Sequence, residues 1–370
     1  MLFRSRNNDT VRLLLDRSAD VDAQDNSHLT PLHLALSERN AEAARLLIEC
    51  GANVQVRSNN GETPLHLASS QVGLDDTMRL LLDRGADVDA RDNNHSTPMH
   101  FASSRPKIKA AQLLVECGAN IHARNNDGTT PLLLASQCEY DDTMRLLLDR
   151  GADVDTQDNN QSTPLHFASS QRSEAAQLLV ECGANIQVRN NNGETPLHLA
   201  SKGGYIYNMR LLLDRGADVD AQDNNNLTPL HLASLLSIRE AQECVRSRMW
   251  ILQPLSLMMA QLLLERGANV HLRNKNGQTP LHCILNQASD EFLDPFFKVV
   301  RLLLEHNVDV DAQDNNNSTP LHLASCSGSI KATQLLLQHG ANIHLQNTNG
   351  ETPFQVALAR GHQKVMQLLS

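Results

Sequence analysis

The sequence predicts an all-α solenoid of stacked helix-turn-helix units, and three observations predict it. "MRLLLDRGADVD" occurs three times without a change, at Met78 to Asp89, Met144 to Asp155 and Met209 to Asp220. Thr-Pro followed by Leu, Met or Phe begins at Thr30, Thr63, Thr97, Thr130, Thr163, Thr195, Thr228, Thr279, Thr319 and Thr352, with a prevailing interval of 33 residues. Self-similarity at a fixed period of that size marks a repeat architecture. Aromatics are only 3% of the 370 residues, so the core has to be assembled from Leu, Ala, Val and Ile.

The elements follow in chain order. Residues 9–22, "DTVRLLLDRSADVD", read as the second helix and exit of a unit whose first half is missing, which makes residues 1–22 a partial N-terminal unit. From Thr30 each unit repeats one grammar. Thr caps a helix start with its hydroxyl, and Pro suits the first helical position, where no amide donor is required. A short apolar helix follows, as in "TPLHLASS" from Thr63. The second helix opens with carboxylates such as Asp75 and Asp76, which suit its positive end. It carries Leu80, Leu81 and Leu82 and stops at Gly85, a residue at ease in the left-handed conformation. "ADVDARDNNHS" then runs extended into a turn that returns to the next Thr-Pro. Isolated helices need roughly 12–15 residues to persist in water. Shorter ones have to lay their apolar faces on neighbouring copies.

Two stretches break the period. Thr228 and Gly267 are 39 positions apart where Thr163 and Gly183 are 20 apart, and removing residues 241–259 restores a normal unit. That insertion holds the only tryptophan, Trp250. It reads either as a loop with an apolar tip, a binding element, or as an unspliced short intron. After Thr279 the connection at residues 287–294 is longer than its peers; it carries Phe292 and leads into Phe296 and Phe297. These aromatics are candidates for an apolar partner contact or for packing beneath the longer loop. With these exceptions the grammar runs through residues 1–370 as a single repeat domain.

"GETPLHLASS", "LLLDRGADVDARD" and the 33-residue period together resemble the ankyrin repeat, and ten Thr-Pro units spread the resemblance over nearly the whole chain. The resemblance implies an L-shaped stack of antiparallel helix pairs with β-hairpin loops projecting at right angles. It implies a protein-binding scaffold that uses the hairpin tips and the concave first-helix face. It also implies that the histidine after Thr-Pro-Leu or Thr-Pro-Met, present in eight of ten units, hydrogen-bonds between adjacent loops. Leu133 and Gln355 replace it in the other two.

The units fall into two alternating classes. One has three aspartates in its projecting segment, as in Asp87, Asp89 and Asp92; the next has Asn120, His122 and Asn125 in their place. Duplication of a two-unit block accounts for such a pattern, and the spacing also keeps like charges apart. Neutral-class tips add Arg57, Arg124, Arg189 and Arg273, which the alternation places between carboxylate stripes, and have Gly two residues before Thr, as at Gly61. Acidic-class tips have His95 or Gln161 there, which predicts costlier and more mobile turns. Candidate partner-binding residues on the tips are Asp22, Arg57, Asp89, Arg91, His95, Arg124, Asp155, Gln161, Arg189 and Asp220.

Other function classes find little support. Histidines one per layer, some 10 Å apart, cannot converge on a zinc ion at about 2 Å. "DVDAQDNN" lacks the glycine and final glutamate of a calcium loop. No nucleophile elbow, P-loop or dinucleotide fingerprint occurs. The expectation is therefore no catalytic residue, metal or cofactor. A formal charge of −10 disfavours nucleic acid and, with the Asp-rich tips, favours basic peptides or surfaces. No secretory signal is seen, no apolar run approaches the roughly 20 residues that span a bilayer, and the seven cysteines lack metal-type spacing. These point to an intracellular monomer, cytoplasmic or nuclear, that binds other proteins. The rival expectation is a fragment of a larger signalling or effector protein whose activity lies in a missing domain.

Overall fold

A computed structural model describes residues 8–106, 108–172, 174–247, 254–286, 288 and 294–370. Among them lie 21 helices and no strand. Chain contacts divide the molecule into two compact units, one of residues 1–168 with 173–185, the other of residues 169–172 with 186–370.

Local rules set the helix ends. In the first unit Pro64–Ser70 starts behind Thr63, whose extended backbone (ψ 165°) places its side chain over the first turn. Asp75–Asp83 follows, and Gly85 sits just past its end at φ 82°. Each helix presents one apolar face: Leu65 and Ala68 on the first, Met78 and Leu81 on the second, all 0% exposed. Pro64–Ser70 packs on Pro31–Ser37 and Pro98–Ser103, and Asp75–Asp83 packs on Ala41–Glu49 and Ile108–Glu116. First helices stack on first helices and second on second. Helix Asn8–Asp16 packs on Ala41–Glu49, burying Val11 and leaving Leu13 56% exposed. The second unit stacks in the same manner from Pro196–Gly203 to Gln363–Leu369.

Two expectations change. The projecting segments are turns rather than β-hairpins: each tip closes on itself through few main-chain bonds, such as Asp92 N–H to the Ser96 carbonyl (3.0 Å), and satisfies its other amides with side chains. The segment 241–259 is not a loop in its described parts. Helix Pro229–Ser247 runs straight through residues 241–247, because no glycine or proline stops it, and Leu255–Glu265 forms the second helix. Pro254, Ser256 and Met259 are buried. Trp250 and Phe292 lie outside the described residues. Phe296 is a core residue, 1% exposed and edge-on to Phe297 at 5.0 Å, in helix Asp294–Glu305. It is therefore closed to a partner. That helix packs on Pro229–Ser247, so the two departures from the period are neighbours.

Candidate interaction surface

The surface is assembled one layer at a time, and its framework is the histidine row. In the capping boxes that hold a histidine, Thr and His brace each other: His66 Nδ1 accepts the Thr63 N–H (3.1 Å), with Thr63 Oγ1 2.9 Å away, and Nε2–H donates to the Ser96 carbonyl of the next tip (3.0 Å). His33, His100, His198, His231, His282 and His322 repeat the link to Glu62, Thr129, Leu227, Gln278, Ser318 and Glu351 at 3.0–3.2 Å. The pattern requires a neutral ring with hydrogen on Nε2. Burial lowers the pKa of these histidines, that of His231 to about 4. The interlayer role implied by the resemblance is present in the geometry.

The three alternating tip positions also have structural tasks. At the first, Asp87 Oδ1 accepts the N–H of Asp89 (3.0 Å), and Asn120 does the same for His122 (2.9 Å). At the third, Asp92 Oδ1 accepts two amides, from Asn94 (2.9 Å) and Ser96 (2.7 Å), and Asn125 matches it. The second position reaches across layers. Asp22, Asp89, Asp155 and Asp220 accept the N–H of Asn53, Asn120, Asn185 and Asn269 at 2.8–2.9 Å. These half-buried carboxylates are staples first.

The arginines are ties as well. Arg124 donates to the Gln157 carbonyl at 2.6 Å, and Arg57, Arg189 and Arg273 bond the carbonyls of Arg91, Gln222 and Gln313. The guanidinium groups thus address main-chain oxygens of the following tip. Arg57, Arg91, His95, Arg124, Gln161 and Arg189 are the exposed candidate tip residues, and of these Arg91, His95 and Gln161 are not the interlayer ties just described. His95 and Gln161 hold the left-handed conformation, φ 59° and 58°.

Sequence reading missed an asparagine ladder. Asn93 donates its backbone N–H to Asn60 O (2.9 Å) and its Nδ2 to Asn59 O (2.8 Å). Asn159 repeats both bonds on Asp127 and Asn126, Asn224 on Asn192 and Asn191, Asn315 on Asn276 and Lys275. The signal was legible as Asn four residues before Thr in most units.

Beside the tips, each first helix of the first unit presents one half-buried apolar side chain at the same position: Leu34, Leu67, Phe101, Leu134 and Phe167. His66 braces Phe101 edge-on at 5.2 Å. Apolar groups held at a regular spacing beside exposed polar tips suit a protein ligand. Among the described residues no His, Cys, Asp or Glu group is arranged to hold a metal ion, and no helix is long and apolar enough to cross a membrane.

The pattern for "Ankyrin repeats (3 copies)" matches residues 2–92, 76–158, 99–190, 165–247 and 255–347, and that for a single "Ankyrin repeat" matches 225–275. The chain belongs to the ankyrin repeat family. Ankyrin repeats are in general protein-interaction modules without catalytic function. No curated protein matches the chain.

Proposed function

We propose that this ankyrin repeat chain is a non-catalytic scaffold that holds a protein partner against the first-helix face, with the tips beside it. The observation that carries the proposal is the row Leu34, Leu67, Phe101, Leu134 and Phe167, half-buried and evenly repeated on rigidly capped helices. Partly exposed aromatics on a rigid support are the kind of residue that dominates binding energy. Arg91, His95 and Gln161 supply outward polar contacts. The aspartates of the acidic-class tips form carboxylate stripes, so the tips favour a basic segment of the partner, and association weakens with added salt. We place the protein inside the cell as a monomer, in keeping with free thiols at Cys50, Cys117 and Cys182.

The test is affinity capture from cell extract, with the full chain as bait, followed by titration of the captured protein. Phe101→Ser with Phe167→Ser weakens binding roughly tenfold or more, with the helical circular dichroism retained. Unchanged affinity in that variant removes the first-helix face from the proposal.

A further inference from the structure

Four tips carry Asn-Gly at the same place: Asn60-Gly61, Asn192-Gly193, Asn276-Gly277 and Asn349-Gly350. In such a pair the glycine nitrogen, unhindered by a Cβ, can reach the asparagine side-chain carbon. Local geometry is shared by all four. Each glycine is left-handed, φ 73–77°. Each donates its N–H to a carbonyl three residues back, on Ser58, Asn190, Asn274 and Asn347, at 2.8–2.9 Å. Asn192 and Asn349 both point Nδ2 at the glutamate two residues on, 3.3 Å from Glu194 and Glu351.

Cover separates them. Gly61, Gly193 and Gly277 are buried, and a Cβ on any of them would fall 2.4 Å from the Oδ1 of Asn93, Asn224 or Asn315. The carbonyls of Asn60, Asn192 and Asn276 are pinned by the N–H of those asparagines at 2.9–3.0 Å. Gly350 is exposed, with nothing within 4 Å of the same point.

We propose that Asn349 is a modification site, the Asn-Gly tip that deamidates spontaneously in the folded protein. The deprotonated Gly350 nitrogen attacks Asn349 Cγ; a C–N bond forms and ammonia leaves with the amide nitrogen, giving a succinimide. Water opens that ring at either carbonyl, giving aspartate or isoaspartate. One water enters, one ammonia departs, and no oxidation state changes. At Asn349 the tip needs to release only bonds within itself, the Gly350 turn bond and the contacts of Asn349 with Asn347 and Glu351. At Asn60 it has also to unseat Asn93, whose two bonds to the tip lower the open population roughly thirtyfold.

The product puts a second carboxylate beside Glu351, in a groove also lined by His322, Cys326 and Arg360. A neutral-class tip becomes acidic with age.

The test is to incubate the folded full-length chain in mildly alkaline buffer, with a parallel sample in urea, and follow each tip by peptide mass mapping. In the folded chain Asn349 converts roughly tenfold or more faster than Asn60, Asn192 and Asn276, while in urea the four rates converge. Asn93→Ala, which uncovers Gly61, brings the rate of Asn60 up toward that of Asn349; Asn315→Ala, read at Asn276, replaces it if Asn93→Ala loses its helical signal. Equal folded-state rates overturn the assignment, and so does an uncovered tip that reacts no faster than before.

Discussion

Gly61 and Asn93 touch across two layers: a Cβ built on Gly61 would lie 2.4 Å from Asn93 Oδ1 and 2.8 Å from Asn93 N. Gly350 has nearly the same torsion and nothing within 4 Å of the equivalent Cβ position. Gly350→Ala therefore carries the left-handed penalty alone, about 1 kcal/mol. Gly61→Ala adds displacement of Asn93 and its two bonds, for about 3 kcal/mol in total. Urea unfolding of the two variants measures the gap. Equal losses would mean that the torsion, not the contact, selects glycine.

The same pair shows what the sequence could and could not convey. Thr63-Pro64, the stop at Gly85 and the interlayer histidines were legible because they obey local rules or repeat at one position. The alternation of Gly61 with His95 was legible too, but its reason was not. His95 and Gln161 adopt the left-handed conformation without glycine, and Asn126 binds the His95 tip as Asn93 binds the Gly61 tip, so torsion does not demand glycine. What the structure adds at Gly61 is the close approach of Asn93 Oδ1, 32 residues downstream. From sequence Asp89 reads as surface charge, because its partner, the N–H of Asn120, lies 31 residues on. In every acidic unit that pairing keeps Asp with the Asn of the next unit. Segment 241–259 reads from its length as a loop or as an unspliced intron. In its described parts residues 241–247, free of Gly and Pro, extend helix Pro229–Ser247, and Pro254 precedes helix Leu255–Glu265.

Asp89 can be divided into acceptor and charge. Asp89→Ala leaves the Asn120 N–H without its 2.8 Å partner, a loss of about 1–2 kcal/mol. Asp89→Asn keeps an acceptor and removes the charge, so its stability stays within about 0.5 kcal/mol of the parent. Thermal unfolding ranks the three proteins. The proposed basic partner adds a second readout: Asp89→Asn binds it more weakly at low salt and equally at high salt. A staple with no part in recognition would leave both affinities unchanged.

Acid should loosen the stack through the histidines. Burial holds seven of them below the ordinary value of 6.5, so the folded chain binds fewer protons than the unfolded one. Stability then rises with pH, and it falls as pH drops from about 6.5 toward about 4, where His231 titrates in the fold. Glu62, Asp141 and Asp220, raised first of all by burial, act in the opposite direction at the acid end. Seven rings outnumber three half-buried carboxylates. Denaturant midpoints taken across this window check the sign, and a flat profile would show that the folded and unfolded chains take up protons equally.

Glu240 joins the two ends of the irregular segment. Its Oε1 accepts the N–H of Leu255 at 2.9 Å, and its Oε2 accepts the N–H (3.2 Å) and hydroxyl (2.5 Å) of Ser256. A carboxylate there satisfies orphan amides at the start of Leu255–Glu265 and meets the positive end of that helix. Glu240→Ala removes all three bonds around Ser256, which is 0% exposed, and costs about 2–3 kcal/mol. Glu240→Gln retains an acceptor for the Leu255 amide and recovers about half of the loss. Hydrogen exchange localises the effect: amides of the first turn, Leu257 to Ala260, exchange faster in Glu240→Ala, while those of Pro353–Arg360 keep their protection. Uniform exchange in both helices would instead mean that Glu240 supports the whole unit rather than this one helix start.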